Sequence, residues 1–369
     1  MALTDIPGLT YTRTGSATAW RADGTLAEFA PNVPRITDRG VLIEGQRTNL
    51  APRWDPNTAQ VSLKVGCSDV GAPTIAPLSS RNWLALDNST TAAYAYQSIT
   101  VPASTQFTAQ CLVETPDGSR PVCDDGSSAA TDFSLYAGGA GLQGGVASYR
   151  RLVGNVWVIS VTGLTLPAPN ANFGPVRQAT HSKRPLKFSG FQLERASNPS
   201  SPIITTGAPA TRGQDNLVLG GLDSVLAAPF SLLAETEHFV SQDNAYPSIF
   251  ALTGETSATT IAVYRSPVNG RFHSQIFSGG AAPTSMNTAV PADYAGPVKL
   301  ALTFDGSVLR WAIAGGLAIQ SVPSPFTQPL KRLHLFCSWT GDSRIKTEGK
   351  RAVILPYALT NAQLQAMTQ

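Results

Sequence analysis

Apolar and polar residues alternate along much of this chain. In Val308-Leu309-Arg310-Trp311-Ala312-Ile313 and in Lys331-Arg332-Leu333-His334-Leu335-Phe336 the sides swap residue by residue. Period two is the pattern of a strand with one buried face. Segments 106–113, 155–162, 186–193, 231–237, 260–264, 298–304, 308–313 and 330–337 read as strands, divided by Gly, Pro, Asn and Asp. Asp305-Gly306 lies between two of them and predicts a tight hairpin. Helical periodicity is nearly absent. The last segment, Thr360-Asn361-Ala362-Gln363-Leu364-Gln365-Ala366-Met367, is the one good helix, with Thr360 as N-cap and Gln363 three residues on. A single turn is expected at Leu222-Asp223-Ser224-Val225-Leu226. Short strands with turns every ~8–12 residues predict an all-β chain: two antiparallel β-sandwiches of jelly-roll type in tandem, after an extended N-terminal segment.

Length supports two domains, since 369 residues exceed the roughly 100–200 of one domain. The boundary falls in NPSSPIITTGAPATRGQD, residues 198–215, an extended connector stiffened by proline. Charged residues make up 14% of the chain, against roughly 25% in ordinary domains. Ala, Gly, Ser, Thr and Pro fill the difference, which suits an extracellular or particle surface. Net charge is +3, and the densest basic group is Lys346, Lys350 and Arg351. Nucleic-acid binding lacks the electrostatic footprint it requires. The first residues, MALTDIPGLTYTRTG, carry no basic and apolar leader. No window approaches the ~20 apolar residues of a membrane span. The expectation is a soluble chain made in the cytoplasm, with no membrane insertion. Cys67, Cys111, Cys123 and Cys337 show no metal spacing. Cys111 and Cys123 could meet across a hairpin, but a reducing compartment favours free thiols.

One stretch breaks the alternation: GVLIEGQRTNL, residues 40–50. Three aliphatics give a packing strand, Gly45 relieves the backbone, Glu44 and Arg47 can pair, and Asn49 can bond a turn. With Tyr11-Thr12-Arg13 and Asn32-Val33-Pro34-Arg35 before it, the stretch resembles the lead-in of a module common in bacteriophage virion proteins, where an "LLIEGQRTNL"-like motif precedes a carbohydrate-binding-module-like jelly roll. Tyr149-Arg150-Arg151-Leu152-Val153-Gly154-Asn155-Val156-Trp157 is similar to a late strand-turn-Trp segment of that jelly roll. Phe191-Gln192-Leu193-Glu194, then Ser201-Pro202-Ile203-Ile204-Thr205-Thr206-Gly207 and Thr211-Arg212, is similar to its exit. The close, from Leu359 to Met367, resembles the end of a concanavalin-like (laminin-G-like) sandwich.

The resemblance implies an attachment segment at 1–50, a jelly roll at 51–205 and a concanavalin-like sandwich at 206–369. It also implies a virion-surface fibre, spike or decoration protein, a homotrimer or other cyclic oligomer. Its partners would be capsid, collar or tail proteins and a host cell-surface polysaccharide. A ligand-free structural cement and a capsule depolymerase are the alternatives.

Residues argue against catalysis. His181, His238, His273 and His334 are all the histidines, and no two share helical i, i+4 spacing. His334 reads as a surface or edge histidine. Gly341-Asp342-Ser343 has an esterase-like look but no histidine after it. Asp124-Asp125 sits in a turn, and Glu235 with Glu237 shares one strand face, so neither is an acid pair across a cleft. No cofactor is expected; Asp342 and Asp305 are the acids a rim Ca²⁺ would use. Sugar binding needs less: an open aromatic face with amides or carboxylates beside it. Aromatics in polar, turn-like settings are Trp339 with Asp342, Tyr246 and Tyr264 in the second sandwich, and Trp54, Trp83, Tyr94 and Tyr96 in the first.

Overall fold

The computed structural model describes residues 6–73, 78–88, 92–101, 106–123, 130–138, 145–165, 170–241, 246–279, 284–287, 297–321, 326, 328–337 and 345–369. The chain forms two compact units. One comprises Met1–Ser16, Phe29–Gln46 and Gly213–Gln369; the other comprises Ala17–Glu28 and Arg47–Arg212. The first is called the C-terminal unit here, the second the central unit. Both are antiparallel β-sandwiches, as the alternation predicted.

In the central unit a six-stranded sheet runs Val146–Arg151, Val156–Thr165, Gln106–Glu114, Lys187–Glu194, Trp83–Leu86, Cys67–Val70. A four-stranded sheet runs Ser134–Gly138, Asn170–Arg177, Ala93–Thr100, Leu63–Val65. Alternation decides what each face buries. Phe107, Ala109, Cys111 and Val113 join the main core with Phe133, Phe173, Phe188 and Phe191. Leu112 joins a second core with Trp20, Leu26, Trp54, Leu78, Trp83 and Val156. Trp20 and Leu26 come from the paired strands Ala17–Trp20 and Leu26–Phe29. The 198–215 connector is tied down at its start: Ser200 Oγ and N donate to Glu194, and Gln110 Nε2 donates to the Ser200 carbonyl at 3.1 Å.

In the C-terminal unit two seven-stranded sheets enclose one core. The first runs Leu9–Thr12, Asn216–Leu219, Arg332–Leu335, Ser248–Thr253, Thr259–Arg265, Phe272–Ser278, Thr284–Asn287. The second runs Gly316–Ser321, Val308–Ile313, Val298–Phe304, Phe230–Ser241, Ile345–Leu355, Gly40–Glu44, Arg35–Thr37. Asp305-Gly306 makes the expected hairpin, with Gly306 at φ 102°. The helix Asn361–Met367 carries the expected capping box of Thr360 and Gln363. Leu364 seats it on Leu233, Ala301, Ala312 and Leu359. At 222–226 a single turn closes by Leu226 N–H donating to the Leu222 carbonyl, 2.8 Å.

The motif at 40–50 is shared between the units. Gly40–Glu44 pairs with Ile345–Leu355, Val41 opposite Gly349 and Glu44 opposite Lys346. Gly40 sits at φ 125°, and a Cβ there would meet the Gly349 carbonyl oxygen at 2.3 Å, so the glycine requirement falls on this residue. Glu44 is fully buried and takes its ion pair from Arg35 at 2.7 Å. Arg47–Asn49 belongs to the central unit and pairs with Ala210–Arg212. Asn49 uses all four of its bonding positions: Nδ2 donates to the Phe191 and Ile203 carbonyls, and Oδ1 accepts from Ala51 and Leu193 N–H, all within 2.9–3.1 Å.

Beside Glu44 lies a buried polar cluster. Asp215 accepts from the Tyr11 hydroxyl, from Arg13 Nη1 at 3.3 Å, from Arg35 Nη2 and from Glu44 N–H at 2.8 Å. Burial first, and Asp215 second, push the Tyr11 hydroxyl well above the ordinary phenol range.

His334 is not at an edge. Its strand lies between Asn216–Leu219 and Ser248–Thr253, because Leu333 and Leu335 fill the core and the strand is needed inside the sheet. Its Nδ1 is buried without a partner, and Nε2 lies 3.2 Å from Thr253 Oγ1. Burial, and then Arg332, hold its pKa down to about 4. An unfolded chain binds this proton near pH ~6.5. Between these values the unfolded state therefore holds more protons, and stability falls as pH falls. His334→Gln is expected to remove up to ~2 kcal/mol of the stability change between neutrality and the acid side of that window. Urea unfolding at both pH values checks this; equal pH dependence in variant and parent would refute it.

Candidate aromatic site on the C-terminal unit

Strands Thr259–Arg265 and Phe272–Ser278 pair so that Tyr264 faces His273 across the ladder. Ile261, Val263 and Ile276 of the same strands enter the core, so period two sends Tyr264 and His273 to the other side of the sheet. Their rings stack at 5.7 Å and 10°. Tyr246 meets Tyr264 nearly at right angles, 5.4 Å and 82°. Arg265 N–H donates to the Pro247 carbonyl at 2.9 Å, which fixes the backbone next to Tyr246. The hairpin turn between the strands is closed by Gly270 N–H donating to the Ser266 carbonyl at 2.8 Å, with Gly270 at φ 67°. It carries Asn269, whose Oδ1 accepts from Arg271 N–H and lies 3.2 Å from His273 Nε2. Burial, and then Arg271, lower the His273 pKa. A neutral imidazole there can both donate and accept.

Tyr246 is 54% exposed while Tyr264 is 7% exposed. Whichever ring supplies the edge of their contact, Tyr246 keeps a face open to solvent. Val268, at the tip of the turn, is also exposed. An open phenol ring, an imidazole and a carboxamide on one rim can stack on an apolar surface and hydrogen-bond its substituents.

The other sequence candidates fare differently. Trp83 is corrected: it is 1% exposed and packs in the second core of the central unit with Trp54, its Nε1 3.4 Å from the Leu78 carbonyl. Leu84 and Leu86 of its strand enter the main core while Trp83 enters the second core on the opposite face, so a polar neighbourhood in sequence did not mean exposure in space. Tyr94 and Tyr96 are brought together on the outer side of the four-stranded sheet, as their i, i+2 spacing requires. They stack on each other at 4.7 Å and 8°, and Tyr96 stacks on Tyr136 at 5.0 Å. Rings packed like this cover each other's faces. Tyr96 has neighbours on both and is buried, leaving no face for a ligand. Trp339 and Asp342 lie outside the described residues. Asp305 is occupied by its own turn: burial alone would raise its carboxyl, but Ser307 and Val308 N–H and Arg310 outweigh that and hold it well below the usual carboxylate range. Among the described residues no group of three or more His, Cys, Asp or Glu could hold a metal. Cys67, Cys111, Cys123 and Cys337 form no disulfide among the described residues.

No family profile matches the chain, and no curated protein matches it. Solved structures with partial likeness are β-sandwich carbohydrate-binding modules and toxin receptor-binding domains, among others. A sialidase carbohydrate-binding module from Ruminococcus gnavus, bound to α2,3-sialyllactose, shares 13% identity over 39% of this chain and 85% of its own, with a TM-score of 0.32. A domain of an extracellular arabinanase from Geobacillus stearothermophilus, in complex with arabinotriose, shares 17% over 42% and 73%, TM-score 0.35. A pentraxin from Limulus polyphemus shares 9% over 38% and 70%, TM-score 0.32. Likeness at this level assigns no function.

Proposed function

We propose that this chain is a glycan-binding surface protein, a fibre, spike or decoration subunit of a bacteriophage or phage-like particle, that adsorbs to host polysaccharide without turning it over. The observation that carries the binding part is the Tyr246 ring, open to solvent and held on the Tyr264–His273 stack with Asn269 beside it. Such a ring stacks on the apolar side of a pyranose, while amide and imidazole meet its hydroxyls. The virion setting is supported by the motif resemblance at 40–50 and at the exit of the central unit. A cyclic oligomer such as a trimer would repeat a weak site and raise avidity through effective concentration. Neighbouring capsid, collar or tail proteins would then hold the other end.

Tyr246→Ala is expected to weaken binding of the isolated chain to host surface polysaccharide by about ten-fold, roughly 1.4 kcal/mol, with an unchanged melting temperature. Glycan-array binding and calorimetry check this. Unchanged affinity would remove this face from the reading. Silence of the intact oligomer on every glycan would favour a structural cement, and release of cleaved polymer would favour a depolymerase.

A further inference from the structure

The central unit holds a cleft of about 850 Å³, within the ~300–1,000 Å³ usual for compact ligands. One cross-strand row runs along it. Glu114 stands opposite Lys187, Lys187 opposite Ala85, and Ala85 opposite Ser68. Two long charged side chains are thus followed by two that end at or near Cβ, and this difference in reach opens a hollow beside the ion pair. Val70, Leu186 and Pro116 give it apolar walls, and Asp87, Asn88 and Asn155 a polar rim; among the described residues no aromatic ring lines it. Lys187 Nζ lies 2.7 Å from Glu114 Oε2, with the two side chains 39% and 19% exposed.

This chemistry selects its ligand. A cation would compete with Lys187 for Glu114, and an anion would compete with Glu114 for Lys187. Either takes one charge from its partner, a cost that is modest for a pair this exposed. A neutral diol breaks nothing: one hydroxyl accepts from the ammonium while its neighbour donates to the carboxylate. The 2.7 Å between the two charged atoms is close to the spacing of hydroxyls on adjacent carbons. Asn88 and Asn155 can serve further hydroxyls, and the apolar walls take C–H surface.

From this we infer a second binding site, in which the Glu114–Lys187 pair holds a vicinal diol of a neutral di- or trisaccharide. It lies in a different unit from Tyr246 and uses shape and paired charge in place of ring stacking.

Cys67 gives an independent readout. It lines the cleft and is part-exposed, while Cys111, Cys123 and Cys337 are buried. Burial, and then Asp69, raise its pKa to about 11, so labelling by a maleimide is slow and is timed in mildly alkaline buffer. The probes are maltotriose and cellotriose, with hexylamine and hexanoate as charged comparators, each at about 10 mM, where a millimolar site is largely filled. At least one trisaccharide is expected to slow labelling about five-fold, and neither charged probe to do so. Protection is expected to vanish in Lys187→Met and in the near-isosteric Glu114→Gln, and to persist in Tyr246→Ala. Absence of protection by both trisaccharides, protection by a charged probe, or protection that survives Glu114→Gln would each overturn the assignment. Because Tyr246 is not read by this assay, failure here leaves the aromatic site standing, and the reverse.

Discussion

Asp215→Ala is expected to destabilise the C-terminal unit by about 3–5 kcal/mol, the range for removing one partner of a buried charge cluster. The loss follows from what remains. Arg35 and Asp215 have fully buried side chains, as does Arg13. The carboxylate accepts from Tyr11, Arg13, Arg35 and the Glu44 backbone at once. Without it, buried Arg13 loses its ion-pair partner, Arg35 keeps only Glu44 of its two acids, and the Tyr11 hydroxyl and Glu44 N–H lose their acceptor. Against a typical total of ~5–15 kcal/mol, that is a large part of the stability. Hydrogen exchange resolved by segment checks it. Amides of Phe230–Ser241 and Ile345–Leu355 should lose protection, while those of Gln106–Glu114 keep theirs. Uniform protection matching the parent protein would show that the cluster contributes little.

A fragment starting at residue 206, where the sequence places the domain boundary, is expected not to fold. It lacks Leu9–Thr12, Arg35–Thr37 and Gly40–Glu44, which complete the two seven-stranded sheets. Their loss takes Tyr11 and Ile43 out of the core and leaves Asp215 buried without either arginine. Asn216–Leu219 and Ile345–Leu355 become bare edges, ready to pair with other chains. Size-exclusion chromatography should show aggregates, and near-ultraviolet circular dichroism should be featureless. A monodisperse fragment with a sharp unfolding transition would mean that the N-terminal strands are accessory.

The β character was legible because alternation is a local property. Segments 298–304 and 308–313 match observed strands residue for residue, and the hairpin and capping box rest on contacts a few residues apart. Partner choice was not local. Nothing in GVLIEGQRTNL says that its halves serve different units, and nothing in 198–215 marks Asp215 as the centre of a cluster reaching back 204 residues to Tyr11. The sites show the same divide. The spacing of Tyr94 and Tyr96 placed them on one face, but their covering by Tyr136 depends on a strand pairing that no local signal encodes. The polar setting of Tyr246 matched its exposure. That His273 and Asn269 lie near its neighbour Tyr264 was not legible, because it depends on the hairpin register. The cleft at Glu114 and Lys187 left no motif, since small residues opposite large ones matter only once the strands are aligned.

The wide separation of Gly40–Glu44 from its sheet neighbour Ile345–Leu355 has a consequence for synthesis. The ribosome delivers the first strand some three hundred residues before the second, roughly 15–60 s earlier at ~5–20 residues per second. Through that interval a nascent apolar segment waits with one edge unmatched, the edge that later meets Ile345–Leu355. Such an edge is open to pairing with other chains, and the yield of soluble material is expected to rise with added ribosome-associated chaperone.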